Sequence, residues 1–375
     1  MRNKKFYQLI FCLFILLGTP QVLLAKEKRI YDPEITPFLY KLFNDRNQLL
    51  ITNQPQSIKK YYLTDEKASV FALQHEVVRS QYLTTWATKR GVKIVNAIGA
   101  NHIERIDKTG NIARVHLYET VKISYIYPNS PDKPQFFGIG TRHRMKLKKV
   151  NDEWFVSRES YIDPIEEDYS FIPSTIENMP EHIPSYNPEE YRKVYTGNRR
   201  YKREKAIIYA IKYAGAAWGA GNNHRYNPKY KDFTYMGGDC TNFASQVLGD
   251  PQEGGGLPMN SQWYYRGSGS KAWVHTDSFK KHLLTNGYGH LIAEGSFSEV
   301  QQPTKVNPKG ALARLQPGDL IGYELKGNID HFSIVVGRDD NGYILINSHT
   351  GDRNQVPWDL GWDNKTKFIL IHIND

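Results

Sequence analysis

The residues best placed to do chemistry lie in Gly237-Gly238-Asp239-Cys240-Thr241-Asn242-Phe243. Two glycines permit a tight backbone just ahead of an apolar run, Phe243, Ala244, Val247 and Leu248, that has helical spacing. Asp239 is a favoured N-cap type, so Cys240 is expected at the first helical position. Unpaired N–H groups and the positive end of the helix dipole favour thiolate there. The same N–H groups could receive the oxyanion of a tetrahedral intermediate. The chain has two cysteines. Cys12 falls in a leader-like segment, which leaves Cys240 as the one thiol of a processed chain.

A thiol nucleophile needs a base within hydrogen-bond reach. His331, in Asn328-Ile329-Asp330-His331-Phe332-Ser333-Ile334-Val335-Val336, opens a strand. Alternation puts Phe332, Ile334 and Val336 on one face and His331, Ser333 and Val335 on the other. The third member depends on strand register. A loop of five residues, Arg338 to Gly342, sets His349 opposite His331 and Asn347 opposite Ser333. A two-residue Asn341-Gly342 turn instead brings Ser348, Thr350 and Asp352 beside His331. A metal site is disfavoured, because Cys240 lacks the closely spaced ligand partners that zinc sites show. Neither metal nor cofactor is expected.

The elements that must position these residues fall into two units, for an α+β chain. From about residue 30 to 165, helices over Pro37–Leu50 and Lys67–Arg90 precede strand-like runs over Gly91–Ile98, Ala113–Tyr127 and Met145–Val150. The second helix carries a stripe of Val70, Leu73, Val77, Val78 and Leu83. Asn151-Asp152-Glu153 reads as a turn that pairs Trp154-Phe155-Val156 back. Helices followed by a meandering sheet resemble the cone-shaped nuclear-transport-factor-like domains. The histidines here, His75, His102, His116 and His143, are scattered and form no catalytic set. Residues 166–197 hold Pro173, Pro180, Pro184 and Pro188 and read as an extended linker. Residues 198–375 supply helices over Glu204–Trp218, Thr241–Leu248 and Ser278–Asn286. Strands follow at Asp319–Leu325, His331–Val336, Tyr343–His349 and Lys367–Ile373. The linker leads us to expect that this second unit folds alone.

Several segments carry a resemblance to a known family. They are Asn227-Pro228-Lys229-Tyr230, Phe233, Gly238-Asp239-Cys240-Thr241-Asn242-Phe243-Ala244-Ser245-Gln246, Gly255-Gly256-Leu257-Pro258-Met259 and Trp263. With Gly318-Asp319, Asp330-His331 and His349-Thr350, they resemble the putative amidase domain of exported Gram-positive bacterial proteins. That family is similar to papain-like and NlpC-like wall hydrolases, in which helices precede an antiparallel sheet. The resemblance covers roughly residues 200–375. It implies Cys240 as nucleophile, His331 as base and a polar residue on the next strand that orients the imidazole. His349 is taken for that place, with Asn347 and Asp352 as alternatives. A module that binds the wall without catalysis is the competing function.

Arg2, Lys4 and Lys5 followed by the apolar run Phe6–Leu17 read as a signal peptide cleaved after Ala25, too short for a spanning helix. The expectation is a secreted or wall-associated protein with no stable membrane insertion once processed. The chain of 375 residues has 49 basic and 39 acidic side chains, a net charge of +10. No nucleic-acid module accompanies that charge, so nucleic acid is not expected as a partner. Peptidoglycan or another anionic wall polymer would be attracted by it. Oligomeric state is not legible.

Overall fold

The computed structural model describes residues 30–165, 169–174 and 200–375. The expected signal peptide and most of the expected linker lie outside the described residues. In the first unit, α1 (Ile35–Thr52), the single turn α2 (Gln56–Lys59) and α3 (Lys67–Lys89) pack on four antiparallel strands. These are β1 (Lys93–Thr109), β2 (Ile112–Tyr127), β3 (Ser130–Val150) and β4 (Glu153–Ser160). Asn151 and Asp152 join β3 to β4 with φ of 48° and 68°, the paired left-handed conformation that a two-residue hairpin requires. The buried face of α3 differs from the expected stripe: it is Ala72, Glu76, Arg79, Tyr82, Leu83 and Trp86, while Val70 is exposed. The face is turned because Glu76 and Arg79 are wanted inside, against Arg46 and Asp163 respectively.

The second unit runs α4 (Arg203–Lys212), α5 (Cys240–Gly249), α6 (Lys271–Val274), α7 (Thr276–Thr285), β5 (Gly289–Gly295) and α8 (Phe297–Gln301). It continues through β6 (Leu320–Leu325), β7 (Asn328–Arg338), β8 (Ile344–Ser348), β9 (Asp352–Pro357) and β10 (Lys367–Ile373). Helix α4 stops well short of the expected Trp218, because the Ala216 N–H leaves the helical path to donate to Asp352 Oδ2 at 2.7 Å. The fold is a mixed α+β arrangement on one large antiparallel sheet, ordered β1-β2-β3-β9-β8-β7-β6-β10-β5 with β4 paired to β3 off that path.

That order joins the two units through β3 and β9, where Gly138 faces Asn354, Ile139 faces Arg353 and Gly140 faces Asp352. Residues 216–218 lie directly on β3 at this joint. A Cβ on Gly138 would come within 2.1 Å of the Trp218 carbonyl oxygen, and one on Gly140 within 2.2 Å of the Ala216 carbonyl carbon. Only glycine admits this approach. Leu50, Tyr82, Trp86, Val121 and Phe137 share one core with Tyr323, Val335, Trp358, Trp362 and Phe368. Tyr82 Oη donates to the Trp362 carbonyl at 2.8 Å, and Trp86 Nε1 donates to Asp359 at 3.1 Å. A buried Arg90–Asp359 ion pair at 2.7 Å completes the seam. Autonomous folding of residues 198–375 was expected from the linker; this arrangement gives the second unit a core that the first unit finishes.

The other face of β6, β7 and β10 carries a separate core of Phe332, Ile334, Ile369 and Ile371 beneath Ala206, Tyr209, Phe243, Val247 and Phe279. The alternation read from β7 therefore holds, with Val335 in one core and Phe332 and Ile334 in the other.

Chemical denaturation should show one transition, with tryptophan fluorescence and far-UV circular dichroism coincident. Trp86→Ala should lower its free energy by about 3–5 kcal/mol. Separate transitions, or a fragment 200–375 that unfolds cooperatively, would contradict a shared core.

Candidate active site

Cys240 opens α5, and Gly237 and Gly238 precede it with φ of 105° and 108°. L side chains rarely adopt that backbone, which is why both positions are glycine. Asp239 stands at the N-cap position, but its side chain caps nothing. Its Oδ1 accepts from the Phe233 N–H at 2.8 Å and from Asn242 Nδ2 at 2.9 Å. Its Oδ2 meets His349 Nδ1 at 2.6 Å, and its own N–H donates to Thr350 Oγ1, also at 2.6 Å. With the carboxylate drawn elsewhere, the first N–H groups of α5 have no side-chain cap. Uncapped amides at a helix start are able to receive an oxyanion.

The sulfur is nearly enclosed, with Cys240 6% exposed. The Thr241 hydroxyl lies 3.8 Å from it, and the backbone N–H of Phe332 also points to it. The peptide that joins His331 to Phe332 therefore abuts the thiol. No hydrogen bond links the sulfur to the His331 ring among the described residues, and such contacts often tighten only around substrate.

Electrostatics here depart from the expected thiolate. Burial pushes the thiol up from its ordinary value and the Asp239 carboxylate adds to the rise, outweighing the N–H groups of Phe332 and Thr241. His331 is pushed well below the ordinary histidine value, by burial first and then by Arg353 and His349. Both groups are thus neutral at neutral pH.

His349 is fully buried, with Tyr226 stacked on one face at 3.6 Å and Phe243 on the other at 3.7 Å. Its Nε2 donates to the Tyr213 carbonyl at 2.6 Å while Nδ1 faces Asp239. Both nitrogens are used, and neither reaches His331. The register explains this. The hairpin closes between Asp339 and Tyr343 with Gly342 left-handed, and a bulge at Val336 then sets Ile334 against Asn347. Extending that pairing points His331 at Thr350, between the two registers considered above. The place beside His331 that His349 was expected to fill is taken by Arg353, whose Nη1 lies 3.4 Å from His331 Nε2.

The alternatives also have other partners. Asn347 donates to the Ala210 carbonyl at 3.0 Å and to Asn354 at 2.8 Å. Asp352 accepts from Arg142 at 2.7 Å, from the Ala216 N–H and from the Tyr226 hydroxyl. Arg142 comes from β3, so the first unit supports the floor of the site. Arg353 and its strand β9 were missed in the sequence. Asp352-Arg353-Asn354-Gln355 shows no apolar alternation, and its burial comes from polar partners spread along the chain. A lone Arg three residues past the His349-Thr350 motif was the available signal.

No group of three or more His, Cys, Asp or Glu side chains suited to a metal occurs among the described residues. No helix among them is long and apolar enough to cross a membrane. Apart from this site, α1, β1 and the His224–Arg225 segment enclose a cleft of about 880 Å³.

Residues 200–372 match the family described as "Putative amidase domain". The match begins just before α4, ends within β10, and includes Cys240, His331, His349 and Arg353. The description points to hydrolysis of amide bonds. The chain is also similar to "Uncharacterized protein YhbB" of Bacillus subtilis (strain 168), at 28% identity over 200 residues. That likeness covers 50% of this chain and 55% of the relative, so the chain spans about half the length of the curated relative it matches. Among solved structures, a putative scytalone dehydratase from Novosphingobium aromaticivorans has 14% identity and a TM-score of 0.24, covering 34% of this chain and 82% of that one. An NTF-2 like protein of unknown function from Shewanella oneidensis has 10% identity and a TM-score of 0.20, covering 34% and 98%.

Because the thiol is raised, iodoacetamide should label Cys240 slowly at pH 7. Its rate should climb with a midpoint above the free-thiol value of about 8.5. Peptide mass spectrometry across a pH series measures this. A midpoint near 7 or lower would mean that His331 and the helix terminus outweigh burial.

Proposed function

We propose that the protein is an exported cysteine amidase or peptidase that cleaves an amide bond of bacterial wall peptidoglycan, on a papain-like second unit. One observation carries the reading: Cys240 sits at the uncapped start of a helix with the His331 peptide against its sulfur, inside the segment that matches the amidase family. The order of helix, cysteine, antiparallel sheet and strand histidine supports a papain-like unit. The leader-like amino end, the lone thiol and the basic charge support an extracytoplasmic wall substrate. On this reading residues 1–25 are a signal peptide, 30–165 a supporting unit, 166–197 a linker and 198–375 the catalytic unit.

The neutral pair defines the chemistry. As the sulfur attacks the amide carbon, its proton passes to His331, and the carbonyl electrons move onto an oxygen received by the N–H groups that open α5. Collapse breaks the C–N bond, and His331 gives the proton to the departing amine, leaving a thioester. Water then attacks the thioester carbon and loses its proton to His331. The carboxylic acid leaves and the thiol is restored. Cys240 and His331 are the catalytic residues. His349 acts through Asp239, fixing the turn that presents the thiol.

Cys240→Ser and His331→Ala should each reduce turnover by about 10³-fold or more, with circular dichroism unchanged. The measurement is mass spectrometry of fragments released from purified wall. Full release by Cys240→Ser would end the cysteine reading. Wall binding without release by the wild type would favour the non-catalytic module.

A further inference from the structure

Five arginines are buried among the described residues: Arg46, Arg79, Arg90, Arg203 and Arg353. Four of them rest on carboxylates. Arg46 meets Glu159 and Glu76, Arg79 meets Asp163, Arg90 meets Asp359, and Arg203 meets Asp319 and Asp375. Arg353 is the exception. It is 4% exposed, and no carboxylate lies within ion-pair distance of it among the described residues. Its Nη2 donates to the Pro164 carbonyl at 2.7 Å. Its Nη1 has three long contacts, to the Ser348 hydroxyl at 3.3 Å and to the Gly351 carbonyl and His331 Nε2, each at 3.4 Å. Its Nε is buried with no partner. A buried charge held this way is costly, and an anion beside it would recover much of that cost.

The neighbouring carboxylates are committed elsewhere. Asp239 is engaged by His349, Phe233 and Asn242. Asp352 is engaged by Arg142, Tyr226 and Ala216. Asp163 is engaged by Arg79 and His75. Among the described residues no carboxylate is left to serve Arg353, and an anion from outside the chain would meet it next to the candidate base and nucleophile. We propose that Arg353 is the carboxylate-binding residue of this site, so that the substrate carries a free carboxylate close to the amide that is cut. This rests on the amidase reading and narrows it. Guanidinium is suited to the task, since its planar fork matches a carboxylate.

The contact with His331 gives the binding a consequence. An arginine can only donate, so at Nε2 it engages the ring's lone pair, and the proton of the neutral imidazole then lies on Nδ1. A substrate carboxylate that draws the guanidinium onto itself frees Nε2. The ring can then place its proton there and present a lone pair to the thiol. Arg353 is thus a substrate-binding residue that also positions the base.

The test compares alkylation of Cys240 in the full chain by iodoacetate and by iodoacetamide, followed on the Cys240 peptide by mass spectrometry. The two reagents form the same S–C bond and expel the same iodide, and differ in carboxylate against carboxamide. The folded protein should favour iodoacetate by roughly tenfold or more over the ratio measured in urea. Added sodium acetate should slow iodoacetate more than iodoacetamide. Arg353→Gln should return the ratio to the unfolded value, and Arg353→Lys should keep part of it. If Arg353→Gln does not fold, Arg353→Lys and acetate competition on the wild type decide. An unchanged ratio in the variants, no acetate selectivity, or a folded protein that neither reagent labels would overturn the proposal. Turnover is not measured here. A protein with the iodoacetate preference but no hydrolysis keeps the carboxylate seat and loses the amidase reading, whereas hydrolysis without the preference does the reverse.

Discussion

The buried carboxylate of Asp239 is the constraint around which the candidate site is arranged. It stands immediately before Cys240, where a helix would ordinarily use it as a cap. Instead it gathers Phe233, Asn242 and His349, and Thr350 takes its N–H. Those contacts tie the loop ahead of the helix, the helix itself and the end of β8 to one residue. Burying a carboxylate is tolerable only with this many partners. The diversion leaves the opening amides of the helix uncapped beside the thiol.

Burial sets the character of the two candidate groups as well. A helix terminus favours thiolate, yet the enclosure of Cys240 and the adjacent Asp239 carboxylate outweigh it. Burial and the Arg353 guanidinium hold His331 neutral. In the proposed reaction such a neutral pair would transfer its proton during attack rather than before it, which suits an enclosed site where a separated ion pair would be poorly solvated.

The two units depend on one another through the same economy of charge. Arg142 on β3 reaches Asp352, Arg90 on the first unit reaches Asp359, and Pro164 receives Arg353. The β3–β9 ladder and the shared core of Trp86, Trp358 and Trp362 make the second unit's sheet an extension of the first.

Local chemistry wrote much of this into the sequence. The glycine pair, Asp239 and the helical spacing after them place Cys240 at a helix start, because those are short-range requirements. Period-two alternation set Val335 apart from Phe332 and Ile334 as β7 does, and Asn151-Asp152 announced its hairpin. What lay beyond the sequence was every choice made by contacts distant along the chain. Helix α3 turned its face because Glu76 and Arg79 find partners inside. Helix α4 stopped early because Asp352, well over a hundred residues on, claims an N–H. A bulge at Val336 set the register of β8. Strand β9 carries no apolar pattern, so the weight of Arg353 came from folding, which set it beside His331 as a buried charge with no carboxylate partner among the described residues, unlike the four that have one.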